Sequence, residues 1–344
     1  MPNPDELILA GETVAKVAEE LPLPGLLDLL GDSTQSLSSL KTLLKLSPDD
    51  LALDRMLDTD GIRTGLATGR ISGVEPFTWK FLEGRVAFGD LQAADGEVQP
   101  VFIHALGEPN GTLWEGASDR LRKTTAGQLI STNLFDTVPK SVVRDLRFEP
   151  SILTSQAAQL DRLPQLRDAV ARSDAESFLS RILSKQPVTS MVTQDVGDSL
   201  TAAPQFEGLS QAQITRELES APQTAEPFER AIVEREILGD GDGRLENFTI
   251  SGDPEQQKIW NVDLEQAFGE NRIPAWDNAY PYHDLAGQPL QADTVAQVNR
   301  FLRTYGTDTG RAAMRNAGLT APEADATVAR ARWFAQNQIY PRLT

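Results

Sequence analysis

The amino-acid sequence predicts an α+β protein in which a small antiparallel sheet and one helix precede a larger, mostly helical part. Three observations support this fold class. Short strand-like runs separated by turn residues are concentrated in residues 61–148. Apolar residues at helical spacing predominate in residues 149–344. Similar helical patterns in residues 1–60 predict an N-terminal extension, so we expect a helical extension, a sheet lobe and a helical lobe in that order.

The sheet lobe is predicted from strand-like runs at residues 77–82, 85–89, 101–106 and 141–146. A helix from about residue 113 to residue 133 lies between the last two runs, and Leu121 and Leu129 are among its expected buried positions. The helix ends before Pro139, because a proline forces extended backbone on the residue that precedes it. The predicted order is three strands, one helix and a further strand.

The helical lobe is expected to contain one polar interruption, at about residues 186–226, where Pro, Ser and Thr recur. A helix at residues 225–237 follows and carries Phe228 and Ile232 on an apolar face. This helix leads directly into a segment rich in glycine and aspartate. Residues 290–344 are predicted to be helical again.

Composition restricts the chemistry that this chain can perform. Its 344 residues include no Cys and only two His, which excludes disulfides, thiolate zinc sites and a cysteine nucleophile. The formal net charge of −18 argues against nucleic acid as an electrostatically driven partner. No stretch approaches the roughly 20 apolar residues of a transmembrane segment. Because the acidic N-terminus also lacks signal-peptide features, we predict a cytoplasmic protein, or a secreted effector exported by a signal-peptide-independent route.

Three polar residues in the segment 237–269 form the pattern that carries chemistry. Asp242 precedes Asn247 by five positions, a short apolar run follows the Asn, and a second strand-like run then leads to Asp263. Phosphoryl transfer uses one carboxylate to orient the attacking hydroxyl, and an Asn and a second carboxylate to hold Mg²⁺ against the phosphates. Magnesium prefers such oxygen ligands and keeps several waters. The segment therefore predicts a site for Mg²⁺ and ATP.

The same segment resembles the atypical branch of the protein-kinase superfamily, which includes phosphatidylinositol kinases, HipA-type toxin kinases and secretory-pathway kinases. In the lipid kinases the catalytic loop reads Gly-Asp-Arg-His-x-x-Asn-φ, and the metal strand reads approximately φ-Asp-x-x-x-x-Phe, where φ is apolar. Residues 241–248 read Gly-Asp-Gly-Arg-Leu-Glu-Asn-Phe, and residues 262–268 read Val-Asp-Leu-Glu-Gln-Ala-Phe. The resemblance implies a two-lobed protein-kinase-like fold, with Asp242 as catalytic base or hydroxyl-orienting residue and Asn247 and Asp263 as magnesium ligands.

The catalytic loop and the sheet lobe each depart from the family pattern. In the loop, the family's Arg-His pair is replaced by Gly243-Arg244, so the supporting histidine is missing. In the sheet lobe, the strand that should carry the phosphate-binding lysine offers His104 instead. The usual lysine–glutamate pair is therefore absent, displaced or exchanged.

Three residues are candidates for contacting ATP in the sheet lobe. Lys80 lies on a neighbouring predicted strand, and His104 occupies the expected lysine strand. Lys123 falls near the helix position where the family has its glutamate, although Asp119 or Glu115 could take that place in another register. Lys80 and Lys123 are the alternative phosphate-binding lysines, and Lys80 also fits an ordinary exposed strand residue.

A calcium site and a simple polar turn are the competing interpretations of the aspartate-rich segment. Residues 240–245 mimic the middle of an EF-hand loop, but position one would be Leu238 and position twelve Thr249. Both essential calcium ligands are therefore missing. Taken alone, each motif also fits a solvated turn or a strand with exposed acids. The presence of both motifs, in the kinase order and after an apolar helix, favours the kinase interpretation.

The sequence thus predicts an ATP- and Mg²⁺-dependent phosphotransferase whose acceptor is a protein hydroxyl or a lipid or inositol hydroxyl. One alternative is a kinase-fold enzyme with a different outcome, such as adenylyl transfer, in which ATP is bound in the inverted orientation. Another is a catalytically weak pseudokinase that serves as a binding module. Loss of the lysine–glutamate pair favours the pseudokinase, whereas retention of Asp242, Asn247 and Asp263 disfavours it.

Overall fold

The computed structural model describes residues 66, 69–76, 86–92, 98–107, 113, 116–146, 188–252, 257–274, 276 and 280–343. The predicted extension at 1–60, the predicted strand at 77–82 with Lys80, and the predicted helices within 151–187 lie outside these residues. Within the described residues the chain is a mixed α+β protein. Two compact units are formed, one from Met1–Leu121 with Lys140–Asp195 and the other from Arg122–Pro139 with Val196–Thr344.

The first unit contains a five-stranded antiparallel sheet with the strand order β1-β2-β3-β5-β4. Its strands are β1 (Arg70–Pro76), β2 (Val86–Gln92), β3 (Val98–Ala105), β4 (Ser141–Leu146) and β5 (Val188–Gln194). The strands predicted near residues 85–89, 101–106 and 141–146 are confirmed. Burial alternates along β3, where Val101, Ile103 and Ala105 are buried, because successive side chains of a strand point to opposite faces.

Strand β5 was not predicted, because it lies in the polar stretch that was expected to interrupt the helices. It pairs with β3 on one side and with β4 on the other, and its first five residues are buried. Val188, Met191 and Val192 supply the apolar part of this strand. The sheet unit therefore extends to Asp195, beyond the boundary at residue 148 that the sequence suggested.

Six α-helices are present among the described residues: α1 (Ala117–Thr132), α2 (Gln211–Ser220), α3 (Pro222–Leu238), α4 (Ala292–Tyr305), α5 (Asp308–Asn316) and α6 (Ala321–Asn337). The helix predicted at residues 113–133 is confirmed as α1, with Leu121 and Leu129 buried as expected. The helix predicted at residues 225–237 and the final helical region are also confirmed. No helix in this part of the chain is long and apolar enough to cross a membrane.

Helix α3 is the central element of the second unit and packs against α2, α6 and the second sheet. Its last turns are buried on all sides, so that even Glu234, Arg235 and Glu236 are inaccessible to solvent. The helix ends at Gly239, which has a left-handed φ of 69°. This backbone conformation costs glycine little energy because glycine has no side chain. The Gly239 amide donates to the Glu236 carbonyl at 3.0 Å, which closes the final turn.

A buried glutamate attaches the loop after α1 to helix α3. Glu234 Oε1 accepts hydrogen bonds from the hydroxyls of Ser131 (2.6 Å) and Thr137 (2.5 Å), and Oε2 accepts one from the Phe135 amide (3.0 Å). Asn261 donates from its amide to Thr137 Oγ1 at 2.8 Å. Buried polar groups are stable only when they are paired, and this network pairs both carboxylate oxygens.

The second sheet is formed by β6 (Asp198–Ser199), β7 (Phe248–Ser251) and β8 (Lys258–Asn261), all antiparallel. The strands predicted after Asn247 and before Asp263 are confirmed as β7 and β8. In the hairpin, Phe248 is opposite Asn261, and the Val262 amide donates to the Asn247 carbonyl at 2.9 Å. Because this pairing closes the open end of the hairpin, Asn247 lies beside the residue that precedes Asp263.

Candidate functional site

Asp240 shapes the loop between helix α3 and strand β7. Its Oδ2 forms an ion pair with Arg235 Nη2 at 2.6 Å, and both side chains are almost completely buried, at 0% and 1% exposure. Its Oδ1 accepts a hydrogen bond from the Asp242 amide at 3.0 Å, as short aspartate side chains often do in turns. Burial raises the pKa of Asp240, and the neighbouring Arg235 guanidinium opposes that rise. Asp240 was not predicted as a site residue.

The guanidinium of Arg235 joins three segments of the site. Besides Asp240, it donates from Nη1 to the carbonyls of Asn247 at 3.2 Å and Val262 at 3.3 Å. It also lies over the ring of Phe248, with Cζ 5.2 Å from the ring centroid. Arginine suits such a position because its planar, permanently charged group offers several donors at fixed angles. The end of α3 is thereby fixed to both motifs that the sequence singled out.

Asp242, the predicted catalytic residue, is held by Arg244. Arg244 donates from Nε to Asp242 Oδ1 and from Nη2 to Oδ2, both at 2.6 Å, which is a bidentate pair. These bonds are the main reason that the pKa of Asp242 lies below its ordinary value. The Asp242 side chain keeps 15% of its surface exposed, and that of Arg244 keeps 66%. Asp242 is therefore an ionised carboxylate near the surface that accepts hydrogen bonds.

Asn247 and Asp263, the predicted magnesium ligands, are placed by the turn and the hairpin. Asn247 donates from Nδ2 to the Asp242 carbonyl at 3.0 Å, so its amide oxygen is the atom suited to a cation. Asp263 has a φ of 59°, a left-handed conformation that is unusual for a residue other than glycine. Such backbone strain, of order 1–3 kcal/mol, occurs preferentially at functional sites.

The structure brings Asp242, Asn247 and Asp263 into one region, as the sequence predicted. Asn247 binds the Asp242 carbonyl directly, and its own carbonyl accepts from Val262, the neighbour of Asp263. The charge of Asp263 also acts on the site, since it contributes to raising the pKa values of both Asp240 and Arg244. Their roles in catalysis and metal binding remain predictions.

The donor set fits a metal–nucleotide complex better than an isolated ion. Within the described ranges, no group of three or more His, Cys, Asp or Glu side chains is placed to hold a metal by itself. Asn247 and Asp263 provide two oxygen donors. Mg²⁺ is commonly bound through one or two carboxylates together with substrate phosphates and water. Binding of Mg²⁺ and nucleotide by these two residues stays a prediction.

The structure describes two of the three residues that were predicted to contact ATP. Lys80 lies outside the described residues. His104 is on strand β3 in the first unit, where its Nδ1 is 3.0 Å from Arg120 Nη1. Lys123 is a half-buried residue of α1 and belongs to the second unit. Their contacts with ATP stay predictions.

Gly243, which stands where the family has arginine, is required by packing. A side chain at this position would overlap the ring of Tyr280 and the hydroxyl of Tyr282. Tyr280 stacks on Trp276 with ring centroids 6.1 Å apart, and Tyr282 contacts Trp276 edge-on at 5.0 Å. An aromatic cluster therefore packs against the loop at Gly243. No sequence signal linked the two.

Arg330 on helix α6 binds backbone carbonyls at both ends of the segment 237–269. It donates from Nε to the Ile237 carbonyl at 3.0 Å and from Nη1 to the Gly269 carbonyl at 2.7 Å. It also fills the space where a side chain on Gly239 would lie. Burial lowers the pKa of Arg330 to about 10, and the charge of Glu236 partly offsets this effect. Glu236 itself accepts a hydrogen bond from Trp276 Nε1 at 2.7 Å.

Sequence reasoning missed Arg235, Asp240, Arg244 and Arg330, for different reasons. Asp240 and Arg244 lie within the motif, and their acidic and basic character near a helix end was a usable signal. Arg330 is about ninety residues away in the sequence, and nothing local marks it. No protein family matches this chain, and no curated protein sequence matches it. Function must therefore be argued from the residues themselves.

Proposed function

We propose that this chain is a divergent phosphotransferase of the atypical kinase type, with a two-lobed fold, that uses ATP and Mg²⁺ to phosphorylate a protein hydroxyl or a lipid or inositol hydroxyl. One observation carries the proposal. Asn247 donates from its side chain to the Asp242 carbonyl, and its own carbonyl accepts from the amide of Val262, the neighbour of Asp263. The same three residues match, in order and spacing, the set that phosphoryl transfer requires.

In this proposal Asn247 and Asp263 bind the metal, and Asp242 receives the acceptor. Mg-ATP, when bound, supplies the phosphoryl group and the positive charge that offsets its developing negative charge. The acceptor oxygen forms a bond to the γ-phosphorus, the bond to ADP breaks, and the hydroxyl proton leaves to Asp242 or to water. The chain's own contribution is positioning and electrostatic stabilisation, which dominate catalysis of this reaction.

Asp242 is better suited to orienting the acceptor than to strong base catalysis. Its pKa is lowered, chiefly by the two hydrogen bonds from Arg244, and a carboxylate with a lowered pKa is a weaker proton acceptor. A loose, dissociative transition state makes little demand for early proton removal. Asp242 can accept a hydrogen bond from an approaching hydroxyl once Arg244 no longer occupies both of its oxygens.

A pseudokinase that binds partners without transferring phosphate is the second candidate, and one observation favours it. The bidentate Arg244 bonds occupy both oxygens of Asp242, the residue that an active kinase must present to its acceptor. Weak or absent transfer would follow if this pair persists when nucleotide is bound. Nucleotide binding and phosphate transfer must therefore be measured separately.

The test uses the full chain with Mg²⁺ and ATP labelled at either the α or the γ phosphate. Label transferred from the γ position to protein, lipid or inositol acceptors supports the kinase, and transfer from the α position indicates adenylyl transfer. Nucleotide binding without transfer from either position supports the pseudokinase. Absence of both transfer and a thermal shift with Mg-ATP would overturn the nucleotide-binding proposal altogether.

Asp263→Asn tests the metal assignment with a matched control. Because the variant removes a carboxylate but keeps the shape, we expect Mg²⁺-dependent ATP binding to weaken by at least about tenfold. Asp293→Asn, an exposed aspartate in the first turn of α4, makes the same charge change and should leave binding unaltered. Equal binding by wild type and Asp263→Asn would remove Asp263 from the metal site.

A further inference from the structure

The two arginines beside the catalytic loop are held in different ways. Arg235 is buried and bound by Asp240 and two carbonyl oxygens, so it cannot leave without breaking the loop. Arg244 is two-thirds exposed, and its guanidinium donates to both carboxylate oxygens of Asp242. The Arg244 side of the pair is open to solvent, so an anion from solution can reach the guanidinium. Of the two arginines, Arg244 is therefore the one that a competing anion can bind in place of Asp242.

The backbone around Arg244 allows such a movement without disturbing the predicted metal ligands. Arg244 precedes the short 3-10 turn Leu245–Asn247, and its carbonyl accepts a hydrogen bond from the Asn247 amide at 3.1 Å. Asn247 is also fixed by the hydrogen bond that its side-chain Nδ2 donates to the Asp242 carbonyl. Since neither bond involves the Arg244 side chain, that side chain can change direction while the turn stays in place.

The shape of the guanidinium determines what could replace the carboxylate of Asp242. Its planar fork binds a carboxylate or a phosphate equally well through two parallel hydrogen bonds. One fork cannot bind both anions in this way at the same time. A phosphate carries more negative charge than a carboxylate, so a phosphate placed within reach competes strongly for it.

We propose, on the basis of the proposed function, that Arg244 binds the terminal phosphate of ATP and thereby releases Asp242 to receive the acceptor hydroxyl. The exchange couples two events. Asp242 becomes available only when a triphosphate occupies the site, so the acceptor is not engaged beside a diphosphate. Arg244 would also place positive charge beside the transferred phosphate. Atypical kinases obtain this charge from other residues.

Nucleotide selectivity is the property that distinguishes this role from a purely structural one. A residue that only shapes the loop would affect ATP and ADP alike. A residue that binds the terminal phosphate affects ATP and leaves ADP almost unchanged. Charge-assisted hydrogen bonds to phosphate are strong enough that their loss should weaken ATP binding by about tenfold or more.

The experiment measures dissociation constants for Mg-ATP and Mg-ADP by calorimetry, using wild type, Arg244→Ala, Arg244→Lys and the control Arg303→Ala. Arg303 is an exposed arginine in the last turn of α4 and makes the same charge change elsewhere. We expect wild type and Arg303→Ala to prefer ATP. Arg244→Ala should lose ATP affinity by about tenfold while its ADP affinity stays within about twofold. Arg244→Lys, which keeps the charge without the fork, should recover part of the preference.

Each other outcome contradicts the proposal in a recognisable way. Equal weakening of ATP and ADP in Arg244→Ala, with an unchanged circular dichroism spectrum, would reduce Arg244 to a loop-shaping residue. Unchanged affinities in Arg244→Ala would overturn the role of Arg244 alone, because wild-type nucleotide binding would still support the proposed function. Failure of wild type to bind either nucleotide would overturn both proposals together.

Discussion

Glu236 is expected to make the stability of the helical unit depend on pH near neutrality. This residue lies in the last turn of α3, accepts a hydrogen bond from Trp276 and is only 7% exposed. Burial raises its pKa from 4.5 to about 7, despite the opposing effects of the Trp276 hydrogen bond and of the Arg235 and Arg330 charges. Ionising Glu236 in the folded protein is therefore more difficult than in the unfolded chain.

The expected change in stability follows from this pKa difference. Because the folded pKa is raised, protonated Glu236 favours the folded state, and this contribution is fully present below about pH 4.5. It is lost as the pH rises through about 7. A difference of 7 − 4.5 = 2.5 pKa units corresponds to about 3 kcal/mol. Between about pH 5 and about pH 8, wild type should lose about 2–3 kcal/mol through this group alone.

Glu236→Gln isolates this contribution, because glutamine resembles protonated glutamate and can still accept from Trp276. We would measure the free energy of unfolding in urea for both proteins at several pH values. The difference in free energy of unfolding should move in favour of the variant by about 2–3 kcal/mol between about pH 5 and about pH 8. Glu217→Gln on the exposed face of α2 controls for loss of one carboxylate. Parallel stability profiles for Glu236→Gln and wild type would refute the reasoning.

Two further substitutions test the frame of the site. Asp240→Ala leaves the buried charge of Arg235 unpaired, so the free energy of unfolding should fall by about 3–5 kcal/mol in urea titrations; a loss below about 1 kcal/mol would show that the pair is not buried in solution. Gly243→Ala forces a methyl group against Tyr280 and Tyr282 and should lower stability by about 1–3 kcal/mol. Its matched control is Gly241→Ala, where no atom lies within 4 Å of the new methyl group. Equal stability of the two glycine variants would contradict the packing assignment.

Local patterns were sufficient to predict many elements of the fold, including those that carry the site. Helix α1, strand β4, the end of α3 and the β7–β8 hairpin were all predicted, because each has its own apolar spacing and clear turn residues. Strand β5 was missed because its short, Thr- and Ser-containing sequence is recognisable only through pairing with β3 and β4. Helix α2 was missed in the same polar stretch, although Ser210 and Gln213 form a capping box that marks its start.

The sequence was sufficient to single out the Asp and Asn residues of the candidate site, but not the arginines that contact the same loop. Asp242, Asn247 and Asp263 were identified from spacing, because a turn and a hairpin are local structures. The bidentate bond from Arg244 to Asp242 depends on how the turn folds, and spacing alone does not reveal it. Arg330 reaches the site from a distant helix, so only tertiary packing places it there.

Charge in this site is divided between a buried frame and an accessible surface, and the division determines what each variant can reveal. Arg235, Asp240 and Arg330 are buried and hold backbone carbonyls or amides, so their loss changes the fold and its chemistry together. Asp242 and Arg244 remain partly exposed. Their substitution can alter chemistry while the frame keeps the loop in place. Substitutions in this accessible pair can therefore test transfer and nucleotide binding without disturbing the loop that an active phosphotransferase and a pseudokinase would share.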